Sequence, residues 1–327
     1  DDLTTIQRND AGIIIDGVTN DVLITNAFIP NDRLDAAGDP DVASGNAIEI
    51  LNTFATDATV TIQDSTVENF TNTGINIVDS IAVIRSTTVF ADPTLDADNA
   101  GSVPDLNSLD GIGITATDGN SSRVLLEGNT VETINGSAVD VTVAAAGTVE
   151  FAMTDNVLGS VFGAGAIIDG SSGGSLTVTD LSDNTIVGLP VDPTDPTTLT
   201  GVGGGLLIND VVFDADLTTA GLQQVQAGDT VIGTQNLRVQ GPGLSLRDVE
   251  GELRFKSLNN MGTGLFVKNP VTDFTLITGA GNIDTTNGAA IDIDPTTLDM
   301  HLNSVTSTSA ANTSSGPAIN LDDVRGT

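Results

Sequence analysis

The residues of this chain that could do chemistry are carboxylates. Seven of its 44 acidic side chains are Glu and 37 are Asp, against 10 basic residues, giving a net charge of −34 over 327 residues. Many of the aspartates gather in three stretches: Asp32, Asp35, Asp39 and Asp41; Asp92, Asp96, Asp98 and Asp105; Asp192 and Asp195. Closely spaced aspartates supply hard oxygen donors, the ligands that suit Ca2+ or Mg2+. The expectation is a Ca2+-binding ridge built from Asp32, Asp35, Asp39, Asp41, Asp92, Asp96, Asp98, Asp192 and Asp195, with no obligatory cofactor. No local spacing closes into a known loop. Asp96-Ala-Asp98-Asn-Ala-Gly101 begins as an EF-hand loop does, but Ala100 stands at a ligand position and Asn107 at the place that needs Glu. For any single stretch, the competing reading is a solvated acidic surface.

Other chemistries are excluded by composition. The chain has no Cys, hence no disulfide scaffold and no thiolate ligand or nucleophile. Its single His301 cannot build a site that needs two imidazoles. A charge of −34 repels nucleic acid and anionic membrane surfaces. No run of apolar residues is long enough to cross a membrane as a helix. Two carboxylates about 5–9 Å apart would suit glycoside hydrolysis, but so many aspartates make such pairs arise by chance. Catalytic residues are therefore not assigned.

The elements that position these residues are read from a repeat. A small residue followed by apolar-x-apolar recurs as Gly12-Ile-Ile-Ile15, Ala47-Ile-Glu-Ile50, Gly74-Ile-Asn-Ile77, Gly111-Ile-Gly-Ile114, Ala138-Val-Asp-Val141 and Gly165-Ala-Ile-Ile168. It continues as Gly205-Leu-Leu-Ile208, Gly264-Leu-Phe-Val267, Ala290-Ile-Asp-Ile293 and Ala318-Ile-Asn-Leu321, with a further copy expected at Gly243-Leu-Ser-Leu246. Five of the nine intervals between the first ten copies are 26–28 residues. A second pattern interleaves with it, as in Val60/Ile62/Val67 and Val124/Leu126/Val131, its last position preceded by Asp64-Ser-Thr or Gly128-Asn-Thr corners. Short alternating strands joined by Asn, Asp and Gly corners cannot bury their apolar face alone, but units stacked in register can. A β-sandwich also spaces short strands closely, yet it does not explain one motif recurring at a constant offset.

These motifs resemble the right-handed parallel β-helix repeats of pectate-lyase-like proteins and of large bacterial surface proteins, over nearly the whole chain from Ala11 to Arg325. The resemblance implies one all-β solenoid domain over residues 1–327, of about 11–12 coils. Insertions at 30–45, 91–110 and 188–204 would project from one side, with a less regular stretch at 209–243. The small residue before each strand is expected to serve a tight corner, where Gly tolerates positive φ. Polygalacturonases of this architecture carry Asn-x-Asp, Asp-Asp, Gly-His-Gly and Arg-x-Lys in that order. Here Arg254-Phe255-Lys256 precedes Asp322-Asp323, and His301 lies between Met300 and Leu302 without glycines. Asp322-Asp323 is expected to be a corner. Pectate lyases need clustered basic residues, and no two of the ten are adjacent in this sequence.

The functional expectation is a non-enzymatic rod, filament or stalk segment of a secreted or surface-attached bacterial protein. The alternatives are an adhesin or fibre-type module that binds a glycan or Ca2+ and, less favoured, a polysaccharide lyase or glycoside hydrolase. The first motif begins at Gly12, and the chain stops just after Ala318–Leu321 opens a new coil. Partners are therefore expected to be other copies joined head to tail, or neighbouring repeats of a longer chain. No nucleic acid and no membrane insertion are expected.

Overall fold

A computed structural model describes residues 12–30, 45–68, 70, 72–90, 110–133, 136–160, 162–188, 204–213, 230–233, 238–239, 241–260, 262–268, 274–308 and 317–326. The chain is a right-handed parallel β-helix. Every copy of the Gly/Ala-apolar-x-apolar motif contributes a strand to one 11-stranded parallel sheet in sequence order. These strands run from Ile13–Asp16 to Ile319–Leu321 and include Leu244–Arg247, the copy expected inside the longest interval. The pairing is in register throughout, for example Ile48 with Ile75, Ile75 with Ile112, Ile112 with Val139 and Ile291 with Ile319.

Alternation of side chains along a strand then sorts the core from the surface. Ile48, Ile50, Ile75, Ile77, Ile112, Ile114, Val139, Val141, Ile291 and Ile293 are buried in continuous stacks. Glu49, Asn76, Asp140 and Asp292 between them are half-buried on the outer face, and Asn320 is exposed. The stack weakens at its ends. Ile13 is half-buried, and Ile319 and Leu321 are 48% and 53% exposed. An inward residue of a solenoid is covered by the coils on both sides, and these terminal coils have one described neighbour each.

The small residues of the motif have a different cause from the one expected. None of Gly12, Gly74, Gly111, Gly165, Gly205 or Gly264 is among the residues with positive φ. A Cβ at Gly111 would lie 2.6 Å from the Ala138 carbonyl oxygen and 2.3 Å from Val131 Cγ1. At Gly205 it would lie 2.1 Å from the Gly243 oxygen. These glycines admit the backbone of the next coil.

Positive φ falls instead at the corners. The second sheet, which begins with Val22–Thr25, has seven strands, and the third, which begins with Phe28–Pro30, has twelve. The residue that turns the chain from second to third is left-handed in coil after coil: Asn26, Asp64, Ser86, Gly128, Asp155 and Asp183. Asn, Asp and Gly tolerate this conformation at least cost. The next residue points inward, and four of them form a buried polar ladder, Thr87, Asn129, Asn156 and Asn184. The backbone N–H of Thr87 donates to Asn129 Oδ1 at 3.0 Å, that of Asn129 to Asn156 Oδ1 at 2.9 Å, and that of Asn156 to Asn184 Oδ1 at 3.1 Å. A shorter hydroxyl ladder lies at the corner between the first and second sheets, where Thr53 N–H donates to Ser80 Oγ and Ser80 N–H to Ser122 Oγ.

Toward the C-terminal end the three-sided coil becomes two-sided. Gly251–Phe255 and Ser257–Asn260 both pair with the single 13-residue strand Phe274–Thr286, which in turn pairs with Thr296–Thr308. The second and third sheets merge there without a left-handed corner between them. The short strands of the repeat do not announce this change.

Candidate binding face

All three long insertions leave from the third sheet and return to the first. Their anchors are Phe28–Pro30 and Ile48–Leu51, Thr88–Phe90 and Asp110–Ala116, and Thr185–Gly188 and Leu206–Asn209. They therefore emerge at one corner, beside the outer face of the first sheet. Asp32, Asp35, Asp39, Asp41, Asp92, Asp96, Asp98, Asp192 and Asp195 lie outside the described residues. Among the described residues, no three acidic or histidine side chains converge as a metal cage.

The first-sheet face carries two polar clusters of opposite sign. The acidic one comprises Asp110, Asp140 and Asp169, on three successive strands. Burial, followed by the neighbouring charges of Asp110 and Asp169, pushes the Asp140 carboxyl up to about 6. Burial also raises Asp110, against a 2.9 Å hydrogen bond donated by the Ser137 backbone N–H to its Oδ1.

The sign of the resulting pH dependence follows directly. Between the unfolded and folded values the native Asp140 binds more protons than the unfolded one, so its contribution to stability falls as pH rises from about 4 to 6. Asp140→Asn is therefore expected to raise the melting temperature at pH 7.5 in chelator, by about 2–4 °C per kcal/mol recovered. The advantage should shrink at pH 4.5. Thermal melts of both proteins at the two pH values check this, and an Asn variant less stable than the parent at pH 7.5 contradicts it.

The basic cluster was not legible as neighbours in the chain, yet the fold makes one. Arg247 and Lys268 are register partners on adjacent strands. The Arg247 guanidinium lies 5.2 Å from the centroid of the Phe266 ring, within cation–π range. Arg85, Arg123 and Arg238 are held in ion pairs with Glu127, Glu150 and Asp284, whereas Arg247 and Lys268 have none among the described residues. The signal was present in the repeat. Gly243-Leu-Ser-Leu-Arg247 and Gly264-Leu-Phe-Val-Lys268 place both cations at the same offset within the motif.

The polygalacturonase-like fragments do not assemble. Asp323 has φ +48 and the Asp322 N–H donates to the Ile293 carbonyl, so this pair forms the corner expected of it. His301 is 85% exposed, 3.2 Å from Asp299.

A first sheet parallel and in register from Ile13 to Leu321, insertions anchored at one corner and two charged clusters on the adjoining face define a β-helix with a candidate binding face. Comparison with known proteins adds no family: no family model, curated protein or solved structure matches the chain.

Proposed function

We propose that the chain is a structural rod, a stalk or filament segment of a secreted or surface-attached bacterial protein, without enzymatic activity. The observation that carries this reading is the single register of the first sheet from Ile13 to Ile319. Hydrogen bonds then run along the axis in every coil, and the buried ladders tie the corners to one another, which favours stiffness. Net charge of −34 keeps such rods from bundling sideways. Copies stacked end to end would meet in a heterologous contact, which propagates into a filament. Electron microscopy is expected to show stiff rods that lengthen with protein concentration. Cleavage of an acidic or neutral glycan would overturn the non-enzymatic reading. Strictly monomeric rods of roughly 50–60 Å, as about 4.8 Å per coil implies, would overturn self-assembly.

A second reading, an adhesin that binds an anionic glycan, is favoured by Arg247 and Lys268 beside Phe266. A guanidinium over an aromatic ring still has N–H groups to offer a carboxylate or sulfate. Retention on a glycan array that is lost in Arg247→Ala would favour this reading over an inert rod.

A further inference from the structure

Two columns of side chains face outward from the first sheet, alternating with the buried Ile168, Ile208, Leu246 and Val267. One column runs Asp140, Ile167, Leu207, Ser245 and Phe266 over successive strands. The other runs Thr142, Asp169, Asn209, Arg247 and Lys268 over the same strands. Charge along this face is antisymmetric about the strand Leu206–Asn209. One and two strands before it stand Asp169 and Asp140, and one and two strands after it stand Arg247 and Lys268. Between the two signs lie the half-buried, apolar Ile167 and Leu207.

An antisymmetric pattern is complementary to a reversed copy of itself. A two-fold axis lying between two such faces, parallel to the strands, reverses strand order and keeps position along each strand. Set at Leu206–Asn209, it puts Leu207 opposite Leu207 of the second copy and Arg247 opposite the second copy's Asp169. The Arg247 guanidinium leans over Phe266, 5.2 Å from the ring centroid. Phe266 itself falls opposite the second copy's Asp140, and Lys268 lies diagonally across from the same carboxylate. Asp292 and Asp294, three strands beyond the axis, fall opposite Gly113 and Thr115, neither of them charged. No two carboxylates of these columns face each other. Each contact occurs twice, as an isologous interface requires.

We propose that two copies of this chain pair side by side and antiparallel through the first-sheet face, centred on Leu207. Facing sheets pack about 10 Å apart, which Arg or Lys from one face and Asp from the other can bridge. Strands about 13 Å long, seven of them from Asp110–Ala116 to Ile291–Asp294 at about 4.8 Å, cover roughly 400 Å2 per copy. That is at the low end for specific association, so the dimer is weak and forms at high protein concentration. The charge of −34 on each copy opposes approach. At about 0.15 M salt, however, exposed charges beyond about 8 Å are largely screened, while close, partly covered pairs are not. The pair is closed, so it does not bundle rods, and it is independent of whether they also stack end to end.

The test is cross-linking of Leu207→Cys by a short bismaleimide, which spans the about 10 Å between facing sheets. End-to-end stacking cannot join these residues, because they lie on the side of the rod. A cross-linked dimer is expected on a denaturing gel, and Thr61→Cys on the outer face of the second sheet should give none. In the Leu207→Cys background, reversing both cations (Arg247→Glu, Lys268→Glu) should lower the yield about tenfold or more. Reversing both acids (Asp140→Lys, Asp169→Lys) should do the same, and all four changes together should restore it. If the fourfold variant does not fold, the two double variants decide. Absence of the Leu207→Cys dimer overturns the proposal, and with Arg247-dependent retention on an anionic glycan array it assigns the cations to a glycan instead. A yield unchanged by either charge reversal also overturns it.

Discussion

Asn156→Ala is expected to lower the melting temperature by roughly 6–15 °C, the equivalent of about 3–5 kcal/mol. Asn156 is 1% exposed at the centre of the corner ladder. Its Oδ1 accepts from the backbone N–H and the Nδ2 of Asn129, both at 2.9 Å. Its Nδ2 donates to the carbonyls of Leu126 and Thr154 and to Asn184 Oδ1. Alanine removes all of these bonds and leaves the Asn129 backbone N–H buried without its acceptor, while Asn129 Nδ2 keeps only the Ile84 carbonyl at 2.8 Å. An orphaned buried donor costs more than the bond itself contributes. Asn156→Asp separates hydrogen bonding from volume. The carboxylate keeps an acceptor for Asn129 but turns its other oxygen toward three acceptors. Its folded pKa should be raised, so stability should return as pH falls through that value. Melts followed by circular dichroism at pH 7.5 and 4.5 check both variants. An alanine variant within about 2 °C of the parent would mean that the ladder is not a structural element.

Gly205→Val is the second large effect, with an expected loss of about 3 kcal/mol or more, at or above the roughly 1–3 kcal/mol of ordinary overpacking. Its Cβ would meet Ile232 Cγ2 at 2.3 Å and the Gly243 carbonyl oxygen at 2.1 Å, and the latter is backbone that cannot turn aside. The neighbouring coil must move away, which breaks pairing on both sides of it. Gly119→Ala is the contrasting change. Gly119 has φ +78 with nothing within 4 Å of a Cβ, so only conformational strain of about 1–2 kcal/mol is expected. Urea unfolding of the two variants ranks them. Equal losses would mean that the motif glycines do not protect the spacing between coils.

The coil itself was legible because its signal is periodic. Gly74-Ile-Asn-Ile77 and its copies state which residues face inward, and their constant offset states that the strands stack. The corner triplets Asp64-Ser-Thr and Gly128-Asn-Thr were legible as turns, since few residues tolerate a left-handed backbone. Three features were not legible, each for a physical reason. The purpose of Gly111 and Gly205 is the approach of another coil, which lies some thirty residues away in sequence and leaves no local mark. The merging of the second and third sheets at Phe274–Thr286 is the loss of a corner, and a missing corner has no motif. The clustering of Asp110, Asp140 and Asp169 exists only once register is known, because they come from different repeats and different offsets, whereas Arg247 and Lys268 share one offset in the motif and could have been paired from it. The acidic insertions gave the opposite case, an obvious composition whose attachment corner is described and whose aspartates are not.

Parallel register is the claim on which the face and the rod both depend, and a chain without cysteine allows it to be tested by cross-linking. Thr88 and Thr130 are register partners in the third sheet although 42 residues apart, and Thr66 lies one strand further on the same column. Adjacent strands bring Cα atoms to about 4.8 Å, inside the roughly 4.4–6.8 Å that a disulfide spans. Two strands apart they are about 9.6 Å, outside it. Mild oxidation of the Thr88→Cys, Thr130→Cys double variant is expected to give an intramolecular disulfide, seen as faster migration on a non-reducing gel. The Thr66→Cys, Thr130→Cys variant should give none. A cross-link in the second variant and not in the first would contradict the register, and the β-helix with it.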